Sequence, residues 1–145
     1  MSKKLYIVAI DGSEWSERAA ARAIHLAEKV QAKVELLTVM NWPNIQPVAM
    51  EGMVPPLIDK ASEENYTQDK ILTPIVEKFN DSNVTVTTKI LWGDPVFEIC
   101  EYIKTSHANM LFVGRRGRSS LIDLILGSVA NKLAHSVGIP IILVP

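Results

Sequence analysis

Three of the seven glycines in this 145-residue chain lie close together, at positions 114, 117 and 127, and Ser128 follows the last of them. Glycine allows a sharp turn or a close approach to the backbone, and a serine hydroxyl can donate a hydrogen bond to an anion. The apolar run 111–113 before them is typical of a buried strand, and the segment after Ser128 is typical of an amphipathic helix. Because helix N-termini attract anions, the spacing predicts a phosphate-binding site. A loop with a glycine break and no ligand is the alternative.

The residues between these glycines suit the same chemistry. Apolar residues such as Leu121 and Leu124 predict a short helix over 118–126 that brings the two glycine sites together. Arginines in an exposed turn are commonly solvated, but those within the motif are candidates for phosphate contacts. They are Arg115, Arg116 and Arg118.

The residues that other kinds of catalytic or binding site require are missing from the sequence. There is no Gly-x4-Gly-Lys-[Ser/Thr] loop, and Cys100 is the one cysteine, which excludes an internal disulfide and a cysteine-rich metal site. The three histidines fall on predicted polar faces or helix ends, at His25, His107 and His135. We therefore expect no catalytic residue and no metal ligand from protein side chains. Mg²⁺ would bind through the phosphates of a ligand.

Five runs predict the strands that must position the glycine motif. Most are apolar and rich in β-branched residues, which is typical of strands buried on both faces of a parallel sheet. The third alternates more strictly, which favours a place nearer an edge. The predicted strands are Leu5–Ile10, Lys33–Met40, Val84–Leu91, Met110–Gly114 and Ile139–Val144.

Amphipathic segments between the strands predict helices. Ser13 is the expected N-cap of the first helix, and Asp94 with Pro95 is expected to begin another. Pro74 is expected to kink or divide the helix between the second and third strands. The last helix has a predicted apolar stripe at Ala130, Leu133, Ala134 and Val137.

Alternating strands and helices predict an α/β fold, with a single five-stranded parallel sheet and helices on both faces, in one domain over residues 1–145. The irregular insert 41–57 holds four of the eight prolines. A lid, a docking segment and a floppy insertion are its alternatives. Trp42 and Trp92 follow predicted strand ends, where they either lie beside the ligand or anchor loops.

The composition limits the classes of binding partner and the cellular location that are expected. The formal net charge of −1 gives no electrostatic case for nucleic acid. No apolar run approaches the roughly 20 residues of a membrane helix, so no membrane insertion is expected. The first apolar run is short and ends at Asp11, as a strand does and a signal peptide does not. With its single cysteine, the chain is predicted to be cytoplasmic.

Two other nucleotide-related folds share this predicted topology. A phosphoacceptor receiver domain needs an acidic cluster after the first strand and an aspartate after the third. Here the first strand is followed by one acid, and the third by Trp92 and Gly93. A flavodoxin-like protein needs a Ser/Thr-rich phosphate loop, which "DGSEWSE" matches poorly. Both are therefore disfavoured.

The spacing Gly-x2-Gly-x9-Gly-Ser after a strand resembles the nucleotide-binding signature of the universal stress protein family, and it matches at Gly114, Gly117, Gly127 and Ser128. The opening "IVAIDGSEWSERAAARAIHLA" is similar to the family's first strand, aspartate and alanine-rich helix. "VELLTV", "GDPVFEI" and "GIPIILVP" also resemble family segments, so the resemblance covers nearly the whole chain. One departure is Asn109, where many members have aspartate.

The resemblance implies a Rossmann-like sheet with strand order 3-2-1-4-5 and ATP as the ligand. It implies that Ala9, Asp11 and Val39 contact the adenine and ribose end, while the glycines and Ser128 contact ribose and phosphates. For Asp11, a turn residue that caps the first helix with Gly12 is the alternative. A homodimer through the C-terminal strand is also expected, because an uncharged edge strand offers unpaired N–H and C=O groups.

These observations predict a cytoplasmic ATP-binding regulatory protein of the universal stress type, which acts as a nucleotide-responsive dimer. At most weak ATP hydrolysis is expected. The alternatives are a slow ATPase or phosphotransferase with arginine assistance, and an adaptor that binds AMP or a cyclic nucleotide. The sequence names no protein partner.

Overall fold

A parallel sheet of five strands lies at the centre of the computed structural model, which describes residues 3–41, 59–116 and 127–145. Neighbouring strands run in the order β3-β2-β1-β4-β5. This arrangement confirms the α/β fold class, the strand order and the edge position of the third strand. The strands are β1 (Leu5–Ala9), β2 (Lys33–Met40), β3 (Val86–Trp92), β4 (Met110–Gly114) and β5 (Ile141–Val144).

Strands β2 and β4 have the predicted bounds, whereas the other three differ at their ends. β1 stops at Ala9, one residue short of the prediction. β3 runs from Val86 to Trp92 and not from Val84 to Leu91, because it pairs with β2 from Val34 to the end of that strand at Met40. β5 begins only at Ile141, since Pro140 has no N–H to donate to the ladder.

Helices cover both faces of the sheet. As predicted, Ser13 caps the first helix, and Asp94 caps another that begins with Pro95. The apolar stripe of the last helix is narrower than predicted, because Leu133 is buried against the sheet but Ala134 is exposed. The helices are α1 (Glu14–Val30), α2 (Lys60–Thr67), α3 (Thr73–Lys78), α4 (Pro95–Ser106) and α5 (Ser128–Ser136).

The two faces of the sheet carry separate hydrophobic clusters. Side chains alternate along a strand, so Leu36 of β2 packs with α1 and α3, while Leu37 packs with α4 and α5. Both leucines are fully buried. Burial on both faces explains why β1 and β4 are continuous apolar runs.

The helix between β2 and β3 is divided, as Pro74 predicts. A π-helical turn over Gln68–Leu72 separates α2 from α3, and Pro74 lies in the first turn of α3. Proline cannot donate to the preceding turn, so a wider turn before it lets the helix continue. Gln68 also ties this turn to β3, because its side-chain oxygen accepts a hydrogen bond from the Thr88 hydroxyl at 3.0 Å.

Edge strand β5 turns its side chains towards the two clusters. Ile142 packs on the α1 side, and Ile141 and Leu143 pack on the α4 side. A charged substitution at Ile142 would therefore disturb the core. The backbone edge of this strand, and not its side chains, is what it can offer to another chain.

Candidate functional site

A cleft of about 470 Å³ lies at the carboxyl edge of the sheet, where the strand order reverses between β1 and β4. Doubly wound sheets bind ligands at this point, and small-molecule sites commonly measure about 300–1,000 Å³. The structure brings together at this cleft most of the residues that were assigned to a nucleotide. Those lining it are Ala9, Asp11, Val39, Gly114, Gly127 and Ser128.

The turn after β1 is held by its own side chains. Asp11 Oδ1 accepts hydrogen bonds from the Ser13 N–H at 2.9 Å and from the Ser13 hydroxyl. Ser13 Oγ then accepts from the Ser16 N–H at 3.2 Å, which caps α1. Gly12 has φ of 83°, a conformation that glycine adopts without strain. Asp11 therefore has the turn-residue role that was its alternative, and it also lines the cleft.

Gly114 makes room for α1. A Cβ at this position would lie 2.8 Å from both the carbonyl carbon and the Cβ of Trp15. Because such contacts are far too short, any side chain here would push α1 away from β4. The missing side chain thus accommodates Trp15.

The two arginines of the motif that the structure describes have different surroundings. Arg115 is exposed and does not line the cleft, which is what is expected of a solvated turn residue. Arg116 is only 8% exposed and lines the cleft, with Cζ 5.7 Å from the centre of the Trp15 ring. The expectation of a solvated side chain is therefore wrong for Arg116.

A backbone hydrogen bond joins the start of α5 to the end of β4. The Gly127 N–H donates to the Arg115 carbonyl at 2.8 Å, which holds the two glycine sites together. Since this bond occupies the Gly127 N–H, an anion here would meet the first turn of α5 from Ser128 onward. Gly127 has φ of −55°, so its conformation does not require glycine. The first turn of α5 contains no acidic residue.

Two buried threonines lie in the wall on the α1 side of the cleft. The Thr67 hydroxyl donates to Met40 Sδ at 3.6 Å. Thr38 is 7% exposed, and its hydroxyl has no hydrogen-bond partner within the described part of the chain. Neither residue was among the predicted site residues. The one signal for Thr38 was a polar residue inside the otherwise apolar end of β2.

Several predicted features fall outside the described residues. They are Gly117, Arg118, Trp42 with the rest of the insert after Asn41, and the short helix expected over 118–126. Trp92 is described, and its indole N–H donates to Glu64 Oε1 at 2.6 Å. Trp92 therefore ties the end of β3 to α2, which was the loop-anchor alternative.

The remaining reactive side chains lie apart from the cleft. His25, His107 and His135 are exposed. Partial burial raises the pKa of the Cys100 thiol above its usual value, which keeps it protonated. Residues 3–41, 59–116 and 127–145 contain no group of three or more His, Cys, Asp or Glu side chains that could hold a metal ion. Within the same ranges, no helix has the length and hydrophobicity that crossing a membrane requires.

Solved structures share this fold over nearly the whole chain. A universal stress protein in complex with cAMP has a TM-score of 0.70 at 22% identity, covering 100% of this chain and 98% of the other. A universal stress protein from Archaeoglobus fulgidus in complex with dAMP has a TM-score of 0.69 at 17% identity, covering 99% and 98%. At these identities the likeness establishes the fold.

Similarity in sequence shows the family as well as the fold. Universal stress protein YxiE of Bacillus subtilis is 32% identical over 142 residues, which cover 95% of this chain and 96% of that protein. The model of the universal stress protein family matches residues 4–145. The chain therefore belongs to the universal stress protein family.

Proposed function

We propose that this chain binds ATP in the cleft and acts as a cytoplasmic, nucleotide-responsive regulatory dimer in a stress response. The observation that carries the proposal is the start of α5, which borders the cleft through Gly127 and Ser128 without an acidic residue. A helix start of this kind attracts phosphate. The two related structures described above contain dAMP and cAMP, which supports an adenine nucleotide as the ligand class.

The cleft residues divide between the two ends of such a ligand. Ala9 and Val39 border the adenine and ribose, with Asp11 beside them. The Ser128 hydroxyl and the N–H groups that follow it bind the phosphates, together with the glycine motif. Arg116 supplies positive charge within the cleft, whereas the exposed Arg115 does not take part.

The cleft suits binding better than catalysis. Asp11 is the one acid among the described residues that line it, and its Oδ1 already accepts two hydrogen bonds from Ser13. A general base must reach the proton that it removes, and Asp11 is committed to its turn. We therefore expect at most weak ATP hydrolysis, with Mg²⁺ bound through the phosphates.

Two measurements test the proposal. Mass spectrometry of ligand released from freshly purified protein should detect an adenine nucleotide, and calorimetry should show saturable binding of ATP. Turnover with Mg²⁺ should be slow. If no adenine nucleotide bound, the proposal would be overturned. Rapid release of phosphate would show instead that the protein is a true ATPase.

The second candidate function is an adaptor that prefers AMP or a cyclic nucleotide. The related structures with dAMP and cAMP favour it, because both ligands carry a single phosphate. A calorimetric series of ATP, AMP and cAMP separates the two. We expect ATP to bind most tightly, since its additional phosphates extend the anion along the start of α5. A clear preference for cAMP would support the adaptor.

The proposed dimer forms through the backbone edge of β5. The Pro140 carbonyl accepts a hydrogen bond from the Leu111 N–H of β4, and the Val144 carbonyl accepts one from the N–H of Arg115, directly after β4. Backbone groups alternate in direction along a parallel strand, so Ile141 and Leu143 present their N–H and C=O groups to the open edge. Pairing of this edge with a second copy about a twofold axis would cover these groups.

Leu143→Pro tests this edge directly. It removes one outward N–H, while proline is tolerated on an edge strand, so the dimer should dissociate. Leu143→Ala is the matched control, because it loses the same side chain but keeps the N–H. Sedimentation equilibrium at tens of micromolar should show a dimer for the unmodified protein and for the control. A monomeric unmodified protein would remove the dimer from the proposal.

A further inference from the structure

Trp15, in the first turn of α1, lies beside two guanidinium groups. The Cζ atoms of Arg116 and Arg18 lie 5.7 and 5.9 Å from the centre of its ring. Both distances are within the range of a cation–π contact. The two arginines differ in exposure, since Arg18 is exposed and pairs with Glu14 at 3.2 Å, whereas Arg116 is buried at the cleft.

Gly114 sets the position of this ring. Its missing side chain lets the Trp15 backbone and Cβ approach the end of β4. Arg116 follows two residues later on the same strand end. One glycine thus brings the indole and the guanidinium together, although the two residues are far apart in sequence.

Arg116 is the one basic residue among the described residues that line the cleft, and its guanidinium lies over the Trp15 ring. A guanidinium carries a positive charge and can donate several hydrogen bonds in one plane to phosphate oxygens. A long arginine side chain in a turn usually extends into water. Here the side chain is only 8% exposed, and its charged end lies beside the indole.

We propose that Trp15 is a positioning residue, which holds the Arg116 guanidinium in the cleft so that the site selects phosphorylated adenine nucleotides over the nucleoside. This inference rests on the proposed function, because it assumes that the cleft binds an adenine nucleotide. Arg116 contacts the phosphates, and Trp15 acts only through Arg116.

Calorimetry with ATP and adenosine, each at low and high salt, tests the proposal. Arg116→Gln should weaken ATP binding by about 10-fold or more, because a charged hydrogen bond is lost, and should leave adenosine binding unchanged. Trp15→Leu should weaken ATP binding by about 3- to 10-fold, again without effect on adenosine. Trp15→Phe should restore most of the loss, since it keeps an aromatic face. The salt dependence of ATP binding should fall in Arg116→Gln and in Trp15→Leu.

Arg18→Gln is the matched control. It removes the same charge from the same ring but outside the cleft, so the affinities for ATP and adenosine should not change. Circular dichroism checks that each variant folds, and Trp15→Met replaces Trp15→Leu if the latter does not. Equal losses for ATP and adenosine in the Trp15 variant would show a merely structural role and overturn the inference. An Arg116→Gln protein with an unchanged preference for ATP would also overturn it.

The failure of this inference can be separated from the failure of the proposed function. If the unmodified protein binds neither ATP nor adenosine, the cleft is not a nucleotide site and the proposed function fails. If it binds both with equal affinity, the cleft is a nucleoside site and only the selection by Arg116 and Trp15 is wrong.

Discussion

Helices α1 and α5 both begin at the carboxyl edge of the sheet, next to the same cleft, yet their first turns differ. Ser13 caps α1 with its hydroxyl, and two acidic residues, Glu14 and Glu17, follow in the first turn. α5 begins after Gly127, which has no side chain to offer, and its first turn contains no acid. α4 resembles α1, with Asp94 as its cap and Glu98 behind it.

This difference distinguishes a helix start that stabilises the fold from one that can bind a ligand. The first N–H groups of any helix have no partner within the helix. A capping side chain satisfies some of them, and nearby carboxylates offset the positive end of the dipole. At α1 both needs are met by the chain itself. At α5 no capping side chain and no first-turn acid meets these needs among the described residues, which is why we propose that the phosphates bind there.

The largest expected effect comes from giving α5 the cap that α1 already has. Gly127→Asp would place a carboxylate at the N-cap, where phosphates are proposed to bind. Because like charges brought together cost several kcal/mol, ATP affinity should fall by at least about 100-fold. The free energy of unfolding should rise by up to about 1 kcal/mol, since aspartate is a good cap and complements the dipole. Calorimetry and urea denaturation measure the two effects.

Gly127→Asn is the control that separates charge from capping. Asparagine caps a helix about as well as aspartate but carries no charge. It should give a similar gain in stability with a much smaller loss of ATP affinity. Equal losses for the two variants would mean that the side chain blocks the cleft by its size. An unchanged ATP affinity in Gly127→Asp would show that the phosphates lie elsewhere.

The second effect concerns α1. Ser13→Ala removes the cap and should lower the free energy of unfolding by about 1 kcal/mol. Ser13 does not line the cleft, so ATP affinity should change by less than about twofold, within the ~0.5 kcal/mol of an ordinary surface change. Ser136→Ala, at the exposed end of α5, is the control for stability. If Ser13→Ala weakened ATP binding as strongly as Gly127→Asp, the two helix starts would have to be treated as one anion site.

Much of the fold was predictable because burial on both faces leaves a clear pattern in the strands. β2 and β4 were predicted with correct bounds, since each is rich in apolar residues and is followed by a polar one, Asn41 or Arg115. The start of β5 was missed because the run looks continuous through Pro140, whose lost N–H matters only in the ladder. Ala134 was placed in the stripe because its spacing is right, but only contact with the sheet decides which alanine is buried.

The cleft was predictable in outline and not in detail. Asp11, Gly114 and Ser128 follow predicted strands or precede a predicted helix, so the topology alone brings them to one edge. The burial of Arg116 depends on Trp15, which is distant in sequence and is brought close only by the packing of α1 on β4. The hydrogen bond that occupies the Gly127 N–H likewise follows from the docking of α5. Contacts of this kind, between residues far apart in the chain, cannot be predicted from the local spacing of residues in the sequence.

The smallest expected effect concerns the hydroxyl of Thr38, in the wall of the cleft. Thr38 Oγ1 is buried without a hydrogen-bond partner among the described residues, whereas at the start of α1 the Ser13 hydroxyl donates to Asp11 and the Ser16 hydroxyl donates to the Ser13 carbonyl. Leaving a buried hydroxyl unpaired costs about 1–3 kcal/mol, so Thr38→Val, which has the same shape, should raise the free energy of unfolding by up to about 1 kcal/mol without nucleotide. Thr67→Val is the control, and it should not be stabilising, because the Thr67 hydroxyl donates to Met40. Urea denaturation measures both. A loss of stability in Thr38→Val would show that this hydroxyl is satisfied in the free protein and would contradict the prediction.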